Sequence, residues 1–199
     1  MNENNDMTAR QLEILASAMQ LIAESGFQNL TTRQLAKSIG ITEAALYRHF
    51  ENKQSLLEAM IRLLEEQIHS LAQVYLNGES GGIFQFFNAF LERLEKNPAL
   101  AAVIFSEELF QNDLLLASKI KGLMDQLEKL IVSHVHKITK ADKIPQKHMA
   151  WMFIGSIRFL VTRWRLAEHS FSLQKEGVSL LRSLCQLFHL HLHEGKPCR

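Results

Sequence analysis

Between Thr31 and Lys53 the chain reads TTRQLAKSIGITEAALYRHFENK. Thr31, Thr32, Arg33, Tyr47, His49 and Lys53 bring hydroxyls, a phenol, a histidine and cations into one short stretch. Groups of these types satisfy phosphate oxygens, and such contacts set a protein's register on a duplex without reading its sequence. Lys53 adds a second argument. Asn52 is placed to cap a following helix, so Lys53 falls in that helix's first turn, where a cation opposes the dipole. The placement makes sense if an anion docks on the free N–H groups there. Four cations (Arg33, Lys37, Arg48, Lys53) stand against two anions (Glu43, Glu51) in this stretch. Over residues 1–60 acids outnumber bases, so affinity for a polyanion has to come from placement and not from bulk charge.

The elements that would hold these side chains are two short helices, each too short to be stable alone, separated by one glycine. Thr31-x-x-Gln34 reads as a capping box opening the first. Gly40 supplies the positive φ of a tight turn. Thr42 caps the second, and Glu43 in its first turn suits the dipole. Leu35, Ile39, Ile41 and Leu46 can meet between the two helices and lean on a preceding one, while the small Ala36 permits close approach. This is a helix-turn-helix, whose second helix enters the DNA major groove. A plain three-helix cluster is the competing reading.

The rest of the chain follows the 3.6-residue pattern throughout. The expected helices cover about residues 8–25 (Leu12, Leu15, Met19 and Ile22 on one face, Gly26 as a left-handed stop), 31–40, 42 to the next cap at Asn52, 52–76, 83–95, 97–112, 114–137, 146–168 and 173–193. An all-α fold results, with a helix-turn-helix head over residues 1–53 and a helical bundle over 54–199, the fourth helix linking the two. The 199 residues are 47% hydrophobic, enough for one or two compact domains. Net charge is +1, which marks no strong overall field. No apolar run approaches the roughly 20 residues needed to cross a bilayer. The polar, acidic start lacks the layout of a secretion signal, so the expected location is cytoplasmic. Cys185 and Cys198 read as free thiols.

The stretch GFQNLTTRQLAKSIGITEAALYRHFENKQSLLEAM resembles the N-terminal DNA-binding region of the TetR family of bacterial repressors. The features that carry the likeness are Gly-Phe after the first helix, Thr-Thr-Arg opening the second, Leu-Ala and then Gly closing it, and LYRHF-x-x-K. The resemblance is specific over about residues 8–60 and architectural beyond. It implies a homodimer on a near-palindromic operator, and a ligand or partner that binds the bundle and changes the spacing of the two heads. Position by position, it implies that Thr32 and Lys53 contact phosphates and that Arg33 reaches a base edge or the backbone. It also implies that Thr42, Glu43, Ala44 and Ala45 face the bases, and that Tyr47 and His49 contact the DNA backbone. Tyr47 packing on the second helix and His49 at a helix end are the simpler alternatives. Glu43 is poised between accepting from a cytosine amino group and serving only the helix dipole. With two alanines on that face, DNA shape is expected to share in recognition.

In the bundle, the resemblance assigns the last two helices to the dimer interface. Independently, Met149, Phe153, Ile157, Leu160 and Trp164 form a broad stripe, and Leu180, Leu184, Leu187 and Phe188 a second, which pairing of two copies would bury. Candidates to line a ligand pocket are Phe86, Phe87, Phe90, Phe105, Phe110, Leu123, Met124, Leu127 and Trp151; core packing is the default reading of each. Arg158, within an apolar helix, pairs with a ligand anion, with a neighbouring helix or with solvent. His189 and His193 stand four apart, a metal-ligand spacing on a helix, but no cysteine or carboxylate completes a set and no metal or cofactor is expected. There is no phosphate-binding glycine loop or nucleophile elbow, so an enzyme is not expected. The sequence therefore points to a repressor released by a small, hydrophobic or aromatic effector. Its alternative is a DNA-bound protein of the same fold that recruits a protein partner.

Overall fold

The computed structural model describes residues 7–76, 82–105, 113–138 and 144–190. Among them are nine α-helices and no strand: α1 (Ala9–Ser25), α2 (Thr32–Ser38), α3 (Glu43–Tyr47), α4 (Lys53–Tyr75), α5 (Ile83–Lys96), α6 (Pro98–Ile104), α7 (Leu114–Ile138), α8 (Gln146–Leu166) and α9 (Leu173–Leu187). No described helix is long and apolar enough to cross a membrane. The chain divides into two compact units, one of Met1–Leu64 with Ala99–Lys119 and one of Glu65–Pro98 with Ile120–Arg199. α4 and α7 each begin in the first unit and continue into the second.

In the first unit every early helix is started by its own side chains. At α1, Thr8 and Gln11 form a reciprocal capping box: the Gln11 N–H donates to the Thr8 hydroxyl at 3.2 Å, and the Thr8 N–H to Gln11 Oε1 at 2.9 Å. The sequence predicts such a box at Thr31 instead. There the Thr31 hydroxyl does accept from the Gln34 N–H, but it also donates to Gln34 Oε1, so the pair closes through side chains. Ile14, Leu15, Ala18, Met19 and Ile22 form the buried band of α1. Leu12 is 42% exposed, because that band runs towards Ile14 and Ala18 and leaves Leu12 at its edge. Gly26 has the expected positive φ of 84° but an extended ψ of 159°, which leads into a 3₁₀ turn over Phe27–Asn29 and not a left-handed cap.

The second unit is built on α5, α8 and α9. α9 packs against both α5 and α8. Phe86, Phe87, Phe153 and Phe188 form its aromatic interior, with Phe87 stacked on Phe153 at 5.8 Å and the tilted Phe188 ring also 5.8 Å from Phe153. The start of α9 is fixed from α5: Glu95 accepts from the Leu173 and Gln174 N–H groups at 2.9 and 3.3 Å. A carboxylate is the charge a helix N-terminus favours. Buried His134 reaches the Leu76 carbonyl through Nδ1 at 3.0 Å, so that nitrogen is the donor. Cys185 is buried and free, and burial pushes its thiol up to about 11.

Two helix ends differ from the periodicity reading. α6 ends at Ile104, and residues 106–112 of its expected extension lie outside the described residues. α9 ends at Leu187. His189 takes a positive φ of 54°, and the Leu190 N–H reaches back to the Cys185 carbonyl at 2.9 Å while the Leu190 side chain is buried. That is a helix stop with a non-glycine residue in the left-handed position. His189 is therefore past the helix end, which removes the helical spacing proposed for it. His193 lies outside the described residues, as do Cys198 and Phe110.

Candidate nucleic-acid interface

α2 and α3 are joined by a turn whose geometry follows from one residue. Gly40 sits at φ 68°, the Ile41 N–H reaches the Ala36 carbonyl at 2.9 Å, and the Gly40 N–H reaches Lys37 at 3.2 Å. This double closure satisfies the last carbonyls of α2. The Thr42 hydroxyl then accepts from the Ala45 N–H at 3.1 Å and opens α3. Buried Leu35, Ala36 and Leu46 hold the pair together, with Ile39 and Ile41 half-buried beside them. α4 starts on a further reciprocal cap, in which Asn52 Oδ1 accepts from the Ser55 N–H at 2.8 Å and the Ser55 hydroxyl accepts from the Asn52 N–H at 3.2 Å.

The starts of α2 and α4 and the end of α3 meet at a small cleft. Leu30, Leu35, Leu46 and Phe50 are among the residues that form its floor, and Thr31, Thr32, Tyr47, Asn52 and Lys53 lie on its rim. Its free volume is about 10 Å³, near the minimum for one water. It has room for one oxygen atom of a larger group standing at its mouth. Around it stand the Lys53 ammonium and the first-turn N–H groups of α4 that capping leaves open, beside the Thr31 and Tyr47 hydroxyls, whose protons go to Gln34 Oε1 and to the Thr32 hydroxyl in the free protein. Lys53 also lies over the Phe27 ring, 5.0 Å from its centroid. Burial lowers its pKa below the ordinary 10.5. The cation is thus partly stripped of water in the free protein, which is the state in which an added anion is most strongly favoured.

Arg33, Thr42, Ala44 and Tyr47 are exposed, and Ala45, Glu43 and His49 half-buried. Tyr47 does more than pack. Its hydroxyl donates to the Thr32 hydroxyl at 3.4 Å, and Thr32 donates to Glu43 Oε2 at 2.9 Å. This chain across α2 and α3 is not legible in the sequence, since it joins residues 11 and 15 apart through tertiary packing. The His49 carbonyl accepts from the Gln11 side chain at 3.2 Å, which ties the end of α3 to α1.

The structure separates the residues proposed for dimer contacts. Met149, Phe153, Ile157, Trp164 and Phe188 are at most 2% exposed and belong to this chain's own interior. They leave no surface for a second copy. Leu160, Leu180 and Leu184 are half-buried and Leu187 is 63% exposed. Besides Trp151, α8 presents Met152, Phe159 (65% exposed) and Leu166 (80% exposed), spaced one heptad apart. The pocket candidates are also dispersed. Phe86 and Phe87 are fully packed; Phe90, Leu123, Leu127 and Arg158 are half-buried; Met124 and Trp151 lie on the surface. Trp151 donates its indole N–H to Glu128 at 2.5 Å and lies beneath Lys147. Phe105 belongs to the first unit, whereas these others belong to the second.

Comparison with known proteins identifies the family of the helix-turn-helix unit. The family model described as bacterial regulatory proteins, tetR family, matches residues 14–60, which span α1 to the first turns of α4. The chain is 33% identical over 130 residues to the nucleoid occlusion factor SlmA of Marinobacter nauticus, covering 64% of this chain and 67% of that protein. It is 30% identical over 156 residues to the SlmA of Aliivibrio fischeri, covering 74% of this chain and 80% of that one. Among solved structures, the regulator FadR of Bacillus subtilis in complex with stearoyl-CoA superposes with a TM-score of 0.71 at 21% identity, over 87% of this chain and 96% of that one. The ketosteroid regulator KstR2 of Mycobacterium tuberculosis gives 0.74 at 19%, over 92% and 96%. The chain belongs to the TetR family of bacterial regulatory proteins and is a DNA-binding regulator.

Proposed function

We propose that the protein is a homodimeric repressor that binds a palindromic operator and is released by a small apolar effector. The observation that carries the DNA part is the convergence of Thr31, Tyr47 and Lys53 on one oxygen-sized cleft at the start of α4. In this reading the cleft takes a backbone phosphate and sets the register of α3 in the major groove. Two copies pair through Met152, Phe159 and Leu166 of α8 with Leu180, Leu184 and Leu187 of α9. A two-fold dimer then sets its recognition helices about 34–36 Å apart, one DNA turn. An effector that prefers one packing of the bundle acts through α4, and shifts the equilibrium only by its difference in affinity for the two states.

The apolar effector is supported by the stearoyl-CoA and ketosteroid names of two structural neighbours. A second reading has its own support. Relatives at 30–33% identity are named nucleoid occlusion factors, and Phe86, Phe87, Phe153 and Phe188 are packed against one another. On that reading the DNA-bound dimer recruits a protein partner.

Selection of duplexes from a random pool tests the DNA part, comparing wild type with the double variant Tyr47→Ala, Lys53→Ala. Wild type is expected to enrich an inverted repeat and the variant nothing. Thermal melting with stearoyl-CoA and with a ketosteroid separates the two readings. A sensor gains stability by mass action with a fitting apolar ligand; a recruiter melts at the same temperature with either.

A further inference from the structure

The hydrogen bonds from Tyr47 through Thr32 to Glu43 decide which group has a proton to give. A hydroxyl carries one proton and two lone pairs. Thr32 directs its proton to Glu43 Oε2 and receives that of Tyr47. A phosphate offers only acceptors, so Thr32 in this arrangement has nothing to donate to one. Glu43 is in the opposite position. An ionised carboxylate has about four acceptor sites, and the bond from Thr32 uses one. Glu43 is also the first residue of α3, the end of a recognition helix that meets base edges. Its neighbours offer different chemistry: the Thr42 hydroxyl accepts from the Ala45 N–H and keeps a proton to give to an acceptor edge, and the Ala44 and Ala45 side chains carry no polar atom, which leaves Glu43 as the charged acceptor at this end of α3.

We propose that Glu43 is the base-reading residue of α3, that it selects a cytosine amino group through Oε1, and that Thr32 is the positioning residue that holds it. The inference deepens the operator-binding reading above and rests on it. The chemistry of the major groove makes the choice of base. Cytosine presents its N4 amino donor there. Adenine presents an amino donor beside the N7 acceptor, which repels a carboxylate. Guanine and thymine present only acceptors and a methyl group. A carboxylate near phosphates also disfavours every site that lacks the cytosine, so Glu43 adds discrimination more than affinity.

The test is duplex selection and competition binding with wild type, Glu43→Gln, Thr32→Val and Thr32→Ser, each checked for folding by circular dichroism. Wild type is expected to enrich an operator with one fixed cytosine in each half-site. Glu43→Gln should lose about tenfold or more of the preference for that cytosine, with other positions unchanged. Thr32→Val should weaken preference at the same position, and Thr32→Ser should restore it. If Glu43→Gln keeps the wild-type base preference at every position, or binds all duplexes uniformly tighter, the inference is wrong and operator binding stands. If wild type enriches no duplex, operator binding and this inference fail together.

Discussion

Gly177 in α9 faces Leu91 in α5 with no room between them: a β-carbon on Gly177 would lie 2.2 Å from Leu91 Cδ1. Leu91 is fully buried, so its methyl group has no solvent to swing into. Replacing Gly177 by alanine gains about 1 kcal/mol of helix propensity but overpacks the contact at about 1–3 kcal/mol. A net loss of about 1 kcal/mol is expected in chemical denaturation. Leu91→Ala alone should cost about 2–5 kcal/mol. The double variant should be more stable than the sum of the two, since the new methyl group enters the space that Leu91 vacated.

The two N–H bonds to Glu95 give a prediction about α9. Glu95→Ala should cost about 1–2 kcal/mol, as loss of a cap does, and lower Tm by about 2–4 °C per kcal/mol. Lys96→Ala, which breaks only the exposed pair with Glu92, should stay within about 0.5 kcal/mol of wild type.

Lys53 predicts a pH dependence for DNA binding. Burial lowers its pKa in the free protein. A docked phosphate favours the charged form and raises it again. Above the free-state pKa the complex must take up a proton, so affinity falls as pH rises through that value. Lys53→Arg stays charged and should show a flatter profile, measured by fluorescence anisotropy. Lys53→Ala should lower the slope of log K against log salt by about 1 for each head. The stability of the free protein moves the other way. Between the lowered pKa and 10.5 the unfolded chain binds more protons than the folded one, so this residue's contribution rises with pH.

Phe159→Glu tests the outer face of α8. It should yield a folded, helical monomer by sedimentation, with operator affinity lost because two half-sites are no longer gripped together. Phe153→Ala, one turn and a half away on the inner face, should cost about 3–5 kcal/mol of stability, with no direct effect on association.

Local chemistry was legible in the sequence wherever one or two neighbouring residues decide it. Thr31, Thr42 and Asn52 cap the helices expected of them, and Gly40 makes the expected turn. What sequence could not separate was two apolar faces of one helix. On α8 the set Met149, Phe153, Ile157 and Trp164 and the set Met152, Phe159 and Leu166 carry the same hydrophobic code. Only the positions of α5 and α9 decide which is covered. The Thr32–Glu43 bond has the same origin, since neither residue type announces a partner in another helix. The apolar period continues through Leu190 and so predicts too long an α9, whereas the backbone turns at His189 and buries Leu190 from outside the helix.

The cap on α9 has one more consequence. Most helices here carry their own starting signal; α9 shares its own with a carboxylate from α5. Its first turn is therefore conditional on where α5 stands. A partner that binds the outer face of α9 only when this turn is formed would stabilise it and, by reciprocity, the position of α5 that supplies Glu95. A change that moves Glu95 away would remove two of the partners of that turn. Events on the surface of the second unit and events in its interior share a single free-energy account, with Glu95 as the point of exchange.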